Sequence, residues 1–235
     1  MDKKDLQREL DLLLAERLIS GFIDGQKCID WAITLMQRGY ESENLYILAG
    51  SDNDEAISIE HYLNRLTDDL ELEQNRNEDE LFYTYVSDIA RQVIDGGISP
   101  EKGLSVMEDI RIQTWDSDFA IDLFQFSDLA EDSSLIGEYQ IFYIGLTEEN
   151  RDEVIIQEMK MFLIAKEKGI QNIRDLIYCH KCKSLSQAEY IEKGWIVKKG
   201  DWYCKKCKSK DYLAWYKVTD RAQILKILEN EGRAE

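Results

Sequence analysis

Four cysteines near the end of the chain, Cys179, Cys182, Cys204 and Cys207, stand in the pattern C-x2-C-x21-C-x2-C. A C-x-x-C turn aims two sulfurs at one point, and two such turns complete a tetrahedron. Thiolates are soft donors, and four of them in that geometry suit Zn2+. Four protein ligands leave no position for water, so such a site is closed and structural, not catalytic. In a reducing compartment the same spacing reads as metal binding rather than disulfides. The competing reading is four unrelated free thiols. His180 lies inside the first pair, either as an exposed spacer or as a replacement for one cysteine. The fifth cysteine, Cys28, sits on an apolar helical pattern and reads as a small core residue rather than a reactive thiol.

The residues between the two pairs must hold the four sulfurs in place. Ser186 and Glu189 form S-x-x-E, which predicts a capping box and a short helix to about Lys193, stopped by Gly194. Trp195-Ile196-Val197 and Trp202-Tyr203 are strand material, with Lys198-Lys199-Gly200-Asp201 as the turn between them. Tyr212 to Tyr216 suits a third strand, and residues 220–230 a closing helix capped by Thr219.

Gly194-Trp195 and Trp202-Tyr203-Cys204-Lys205-Lys206-Cys207 resemble the four-cysteine zinc ribbons widespread in bacterial and archaeal proteins. The resemblance covers about 40 of the 235 residues. Those ribbons often carry glycine directly after the second cysteine of each knuckle, where this chain has Lys183 and Lys208. Ribbons of this kind bind nucleic acid, dock proteins or act as staples, so the resemblance implies a piece of fold and not a function.

The rest of the chain reads as helix. It holds one proline, Pro100, and apolar residues recur at three- and four-residue spacing. Helices are expected at about 2–20, 26–38, 42–49, 54–70, 79–95, 100–112, 117–129, 134–146 and 149–168. Gly21, Gly39 and Gly96-Gly97 punctuate them, and Ser99 caps the helix that Pro100 opens. A constant offset of 75 residues relates Leu18–Asp24 to Val93–Ser99, with further matches such as Lys27 to Lys102 and Leu35 to Ile110. The fold class expected is mainly α. An acidic multi-helix body over 1–172, with related units 1–75 and 76–172, precedes a small β zinc ribbon and a final helix over 173–235.

Charge divides the chain. Residues 178–217 hold 10 lysines and 4 acids, net +6, whereas residues 1–177 hold 16 basic and 39 acidic groups, net −23. An acidic body repels nucleic acid and steers basic proteins toward it, though acid excess also serves solubility. The start of the chain lacks a signal-peptide core, and no apolar run approaches the ~20 residues that cross a bilayer. A cytoplasmic protein is therefore expected.

Catalytic patterns are missing from the sequence. His61 lies on a helix as a surface or boundary residue. Asp68, Asp69 and Glu71 are too closely spaced to face one another as an acid/base pair. The expectation is a non-catalytic protein that binds a basic protein partner, as an inhibitor or immunity-type protein would. The alternative is a nucleic-acid-associated regulator. It would use the ribbon lysines Lys198, Lys199, Lys205, Lys206, Lys208 and Lys210 with Trp195, Trp202 and Tyr203.

Overall fold

The computed structural model describes residues 2–52, 56–74, 77–114, 120, 123–170, 173, 176–193 and 199–231. Among them are nine α-helices and four strands, and the fold is mainly α as expected. The chain divides into two compact units, residues 1–88 and 89–235, and the division falls inside the helix Glu78–Ile94. The ribbon therefore shares a unit with residues 89–170. No helix among the described residues is long and apolar enough to cross a membrane.

The first unit contains α1 (Lys3–Ser20), α2 (Gly25–Gln37), α3 (Glu43–Ala49) and α4 (Ala56–Asp69). Side chains of Asp2, Asp24 and Ser42 accept hydrogen bonds from the orphan amides that open α1, α2 and α3. Gly21 ends α1 in the left-handed conformation, φ 77°. After α2, Gly39 donates to the carbonyl of Met36 and Tyr40 to that of Leu35, the paired bonds of a Schellman motif. The helices enclose one apolar cluster, built on Leu10, Trp31, Leu35, Leu45, Leu48, Ile59, Leu63 and Leu66. Cys28 is fully buried there, as a core residue. Burial, with the carboxylates of Asp24 and Glu16 nearby, pushes its thiol up to about 12.

α5 (Glu78–Ile94) ends in a second Schellman motif, in which Gly97 donates to Gln92 and Gly96 to Val93. Ser99 caps α6 (Pro100–Gln113), with Pro100 at its first position. α5 and α6 thus begin 75 residues after α1 and α2 (78 against 3, 100 against 25). Gly103 lets α6 approach α5 closely, because a Cβ there would overlap the Val93 side chain.

Downstream of α6 the helices differ from expectation. α7 runs Phe124–Ser134 and takes in the second half of the expected 117–129; residues 117–119 and 121–122 of that expected helix lie outside the described residues. The stretch 135–147 is loop, not helix. The buried carboxylate of Asp132 takes the amides of Ile141, Phe142 and Tyr143 at 2.9, 2.7 and 2.5 Å, so these amides are not free to bond within a helix. Gly137 and Gly145, at φ 88° and 94°, turn the chain on either side. α8 (Arg151–Glu167) follows as expected. Its buried residues, among them Val154, Ile155, Glu158, Met159, Met161 and Phe162, lie all round the helix, which makes it the centre of this unit. Phe126 of α7 meets Phe162 edge-on, with ring centroids 5.7 Å apart.

The ribbon is a four-stranded antiparallel sheet in the order β3-β2-β1-β4. The strands are β1 (Leu176–Cys179), β2 (Ser184–Lys193), β3 (Lys199–Cys204) and β4 (Tyr212–Ala214). The helix expected after Ser186 is instead β2, which is paired on both sides: Ser186 faces Ile177 of β1 and Glu189 faces Tyr203 of β3. Two ladders of backbone bonds outweigh one local cap. The expected turn at 198–201 is displaced as well, since Gly200 and Asp201 belong to β3. Lys198 and the strand expected at 195–197 lie outside the described residues. The last helix, α9, runs Val218–Glu231, so Thr219 sits within its first turn rather than ahead of it.

A fully buried ion pair joins α9 to α8. Arg221 Nη1 donates to Glu158 Oε2 at 2.5 Å, and the two side chains are 1% and 0% exposed. Trp215 Nε1 donates to the same carboxylate at 3.0 and 3.2 Å. Arg221 Nε donates to the Trp215 carbonyl at 2.8 Å, and the guanidinium carbon lies 4.5 Å from the ring centroids of both Tyr143 and Trp215. Burial raises the Glu158 carboxyl, and the bonds from Arg221 and Trp215 pull it back.

Candidate metal centre

Cys179 closes β1 and Cys204 closes β3, and each strand delivers its sulfur into a turn that brings the second cysteine round. The ligand atoms of all four cysteines lie within 4.8 Å of one another. Cys179 Sγ is 3.5 Å from Cys207 Sγ, and Cys182 Sγ is 3.7 Å from Cys204 Sγ. A tetrahedron with metal–sulfur bonds of about 2.3 Å has edges of about 3.8 Å, so these separations suit a shared cation. Cys179 and Cys204 are buried, and Cys182 and Cys207 are half-buried.

The surroundings distinguish the four thiols. Burial opposes ionisation of Cys204. The backbone amides of Cys207 and Lys206, the Ser186 hydroxyl and the Cys182 thiol overcome it and hold Cys204 down to about 6. At Cys207 the Ser209 amide favours the thiolate, yet burial and the three neighbouring sulfurs push it up to about 11. Adjacent negative sulfurs repel, so full ionisation of the set requires a cation among them. Ser184 Oγ approaches Cys182 Sγ at 3.2 Å and Ser186 Oγ approaches Cys204 Sγ at 3.6 Å. Both serines lie on β2, and their position against the sulfurs depends on the strand pairing that local pattern did not reveal.

His180 is exposed and outside the four-sulfur group. Its amide donates to Asp211 and its ring meets Tyr178 edge-on. His61 is an exposed residue of α4 beside Tyr62. The three neighbouring acids diverge to separate partners: Asp68 accepts from Gln74, Asp69 from Asn44 and Glu71 pairs with Lys3.

The ribbon lysines are not equivalent. Lys208 pairs with Glu189, and Lys210 pairs with Asp201 while lying over the Tyr203 ring at 5.1 Å. Lys205 and Lys206 are exposed. Trp202 is 48% exposed and packs against Tyr190 across the β2–β3 pair at 5.3 Å. No protein-family profile, curated protein or solved structure matches the chain.

Proposed function

We propose that Cys179, Cys182, Cys204 and Cys207 hold one zinc ion as a closed structural site in a zinc ribbon. The observation that carries this reading is the convergence of four sulfurs within 4.8 Å. The ion, when bound, neutralises the thiolates and ties β1 to β3; it supplies no reactive position. Elemental analysis of the reduced, purified protein tests it, with one zinc per chain expected and none expected for Cys204→Ser. A stoichiometry near zero in the unmodified protein overturns the assignment.

We further propose that the protein is non-catalytic and binds a basic protein partner, as an inhibitor or immunity-type protein does, by charge complementarity and occlusion. The net −23 of residues 1–177 supports this reading. Residues 1–88 alone hold 21 acidic and 8 basic side chains. Two of the ribbon lysines, Lys208 and Lys210, are already paired with acids of the ribbon, which weakens the nucleic-acid alternative. Reversal of Lys198, Lys199, Lys205 and Lys206 to Glu separates the two. It is expected to leave capture of a basic protein intact, whereas submicromolar DNA or RNA binding at physiological salt, lost on that reversal, supports the regulator instead. The shared spacing of α1–α2 and α5–α6 supports duplication of a helical unit within the acidic body of residues 1–172.

A further inference from the structure

Two hydroxyls of β2 face the sulfur cluster. Ser184 is paired with Cys179 and Ser186 with Ile177 of β1, while Ala188 is paired with Cys204 of β3. Residues two apart on a strand share a face. Ser184, Ser186 and Ala188 therefore lie on the side of the sheet that carries Cys179 and Cys204. Ser184 Oγ is 3.2 Å from Cys182 Sγ, and Ser186 Oγ is 3.6 Å from Cys204 Sγ. Among the described residues neither hydroxyl has another hydrogen-bond partner. Each serine thus has one sulfur to donate to.

Four thiolates around one divalent ion leave an excess of negative charge on sulfur. Here that excess lies among the apolar side chains of Ile177, Ala188 and Ala214, where fixed dipoles must offset it. The amides of Lys206 and Cys207 serve Cys204, and that of Ser209 serves Cys207. The two hydroxyls add to these along one edge of the tetrahedron, Cys182–Cys204. The opposite edge, Cys179–Cys207, meets no side-chain hydroxyl among the described residues. Groups that hydrogen-bond the ligands of a metal orient them and set its affinity.

We propose that Ser184 and Ser186 are positioning residues of the metal centre, donating their hydroxyl protons to the Cys182 and Cys204 thiolates and so fixing how tightly that edge holds its ion. The proposal rests on the zinc reading and adds to it two residues outside the C-x-x-C motifs.

The test uses the full reduced chain loaded with Zn2+, with retention of the ion measured against a chromogenic chelator. Threonine and valine share one shape and both suit a strand, so each serine is replaced by both. Ser184→Val and Ser186→Val are each expected to bind one zinc about tenfold more weakly, and the Thr variants close to the unmodified value. With Co2+ in place of Zn2+, the sulfur-to-metal charge-transfer band is expected to move to longer wavelength in the Val variants, because a sulfur without its hydrogen bond gives up an electron more readily. It should stay in place in the Thr variants. Where the added methyl prevents folding, Ser184→Ala and Ser186→Ala remove the hydroxyl without adding bulk, and the same loss and band shift are expected.

Unmodified affinity and an unmoved band in the Val or Ala variants overturn the role of the hydroxyls and leave the zinc site standing. A Thr variant that loses as much affinity as its Val counterpart overturns it too, in favour of packing alone. An unmodified chain that retains no zinc overturns the zinc reading and the proposal with it.

Discussion

Lys183 and Lys208 stand in equivalent places, each directly after the second cysteine of its knuckle, and both take left-handed backbone, with φ 49° and 57°. The position needs a conformation that glycine adopts freely and that costs an L-residue ~1–2 kcal/mol. The two knuckles hold it nonetheless: the Lys208 amide donates to the Cys204 carbonyl at 2.8 Å and closes the turn. The lysines in place of glycine thus leave the knuckle geometry intact and strain it locally.

Relief of that strain is measurable. Lys183→Gly is expected to stabilise the zinc-loaded protein by up to ~1 kcal/mol, because the left-handed cost exceeds the extra chain entropy of glycine. Lys183→Val is expected to destabilise it, since branching at Cβ worsens the same clash. Lys208 is the poorer site for this comparison because substitution there also removes the pair with Glu189. Equal melting temperatures for the Gly and Val variants would rule the argument out.

The Glu158–Arg221 pair makes a second prediction. Glu158→Ala leaves the Arg221 guanidinium buried without its carboxylate and is expected to cost ~3–5 kcal/mol. Replacing both with apolar residues, as in Glu158→Met with Arg221→Leu, is expected to be much milder, since the desolvation of two ions is removed together. Urea unfolding of the single and double variants checks both statements. A polypeptide ending at residue 172 removes Trp215 and Arg221 together, so its loss should match or exceed that of Arg221→Ala. The sequence-based division at 172/173 cuts through this network.

Cys28 sets an alkaline limit on the first unit. Its thiol is pushed up from an ordinary 9.0 to about 12, so the folded state keeps the proton where the unfolded state releases it. Its contribution is complete below pH 9 and is lost as pH rises toward about 12. At 1.36 kcal/mol per unit the loss is at most ~4 kcal/mol. Lys27 acts in the same sense at higher pH. Burial lowers its ammonium, but the bond and charge of Glu16 outweigh that and raise it. Urea midpoints between pH 8 and 11 should fall faster for the unmodified protein than for Cys28→Ala. Parallel curves would refute the linkage.

Gly103→Ala weighs two opposed effects. Alanine favours helix over glycine by ~1 kcal/mol, while a Cβ forced into the Val93 side chain costs ~1–3 kcal/mol. The overlap is expected to win, and Val93→Ala is expected to restore stability in the Gly103→Ala background. A Gly103→Ala protein more stable than the unmodified one contradicts the close packing of α5 on α6.

What the sequence revealed is the local part of this structure. Gly39, Gly96 and Ser99 marked helix ends because a left-handed cap or a side-chain cap is chosen by one or two residues. The four cysteines marked their cluster because a C-x-x-C turn sets its own geometry. The failures lie where distant residues decide. Ser186 and Glu189 spell a helix start, yet pairing with Ile177 and Tyr203 makes them strand. Residues 135–147 were expected to be mostly helix, but Asp132 captures their amides across 9 to 11 positions. Glu158 and Arg221, 63 residues apart, had no signal at all in a periodicity or a motif.

Asp132 has a consequence for exchange with solvent. Amides in a stretch without regular structure ordinarily swap their hydrogens for deuterium almost at once. Those of Ile141, Phe142 and Tyr143 are bound to a carboxylate that is 0% exposed, so they can exchange only when that carboxylate lets go. The segment should therefore label on the slow timescale of α7, not on that of a surface loop. Asp132→Ala should shift those three amides to fast labelling and leave the protection of the first unit unchanged.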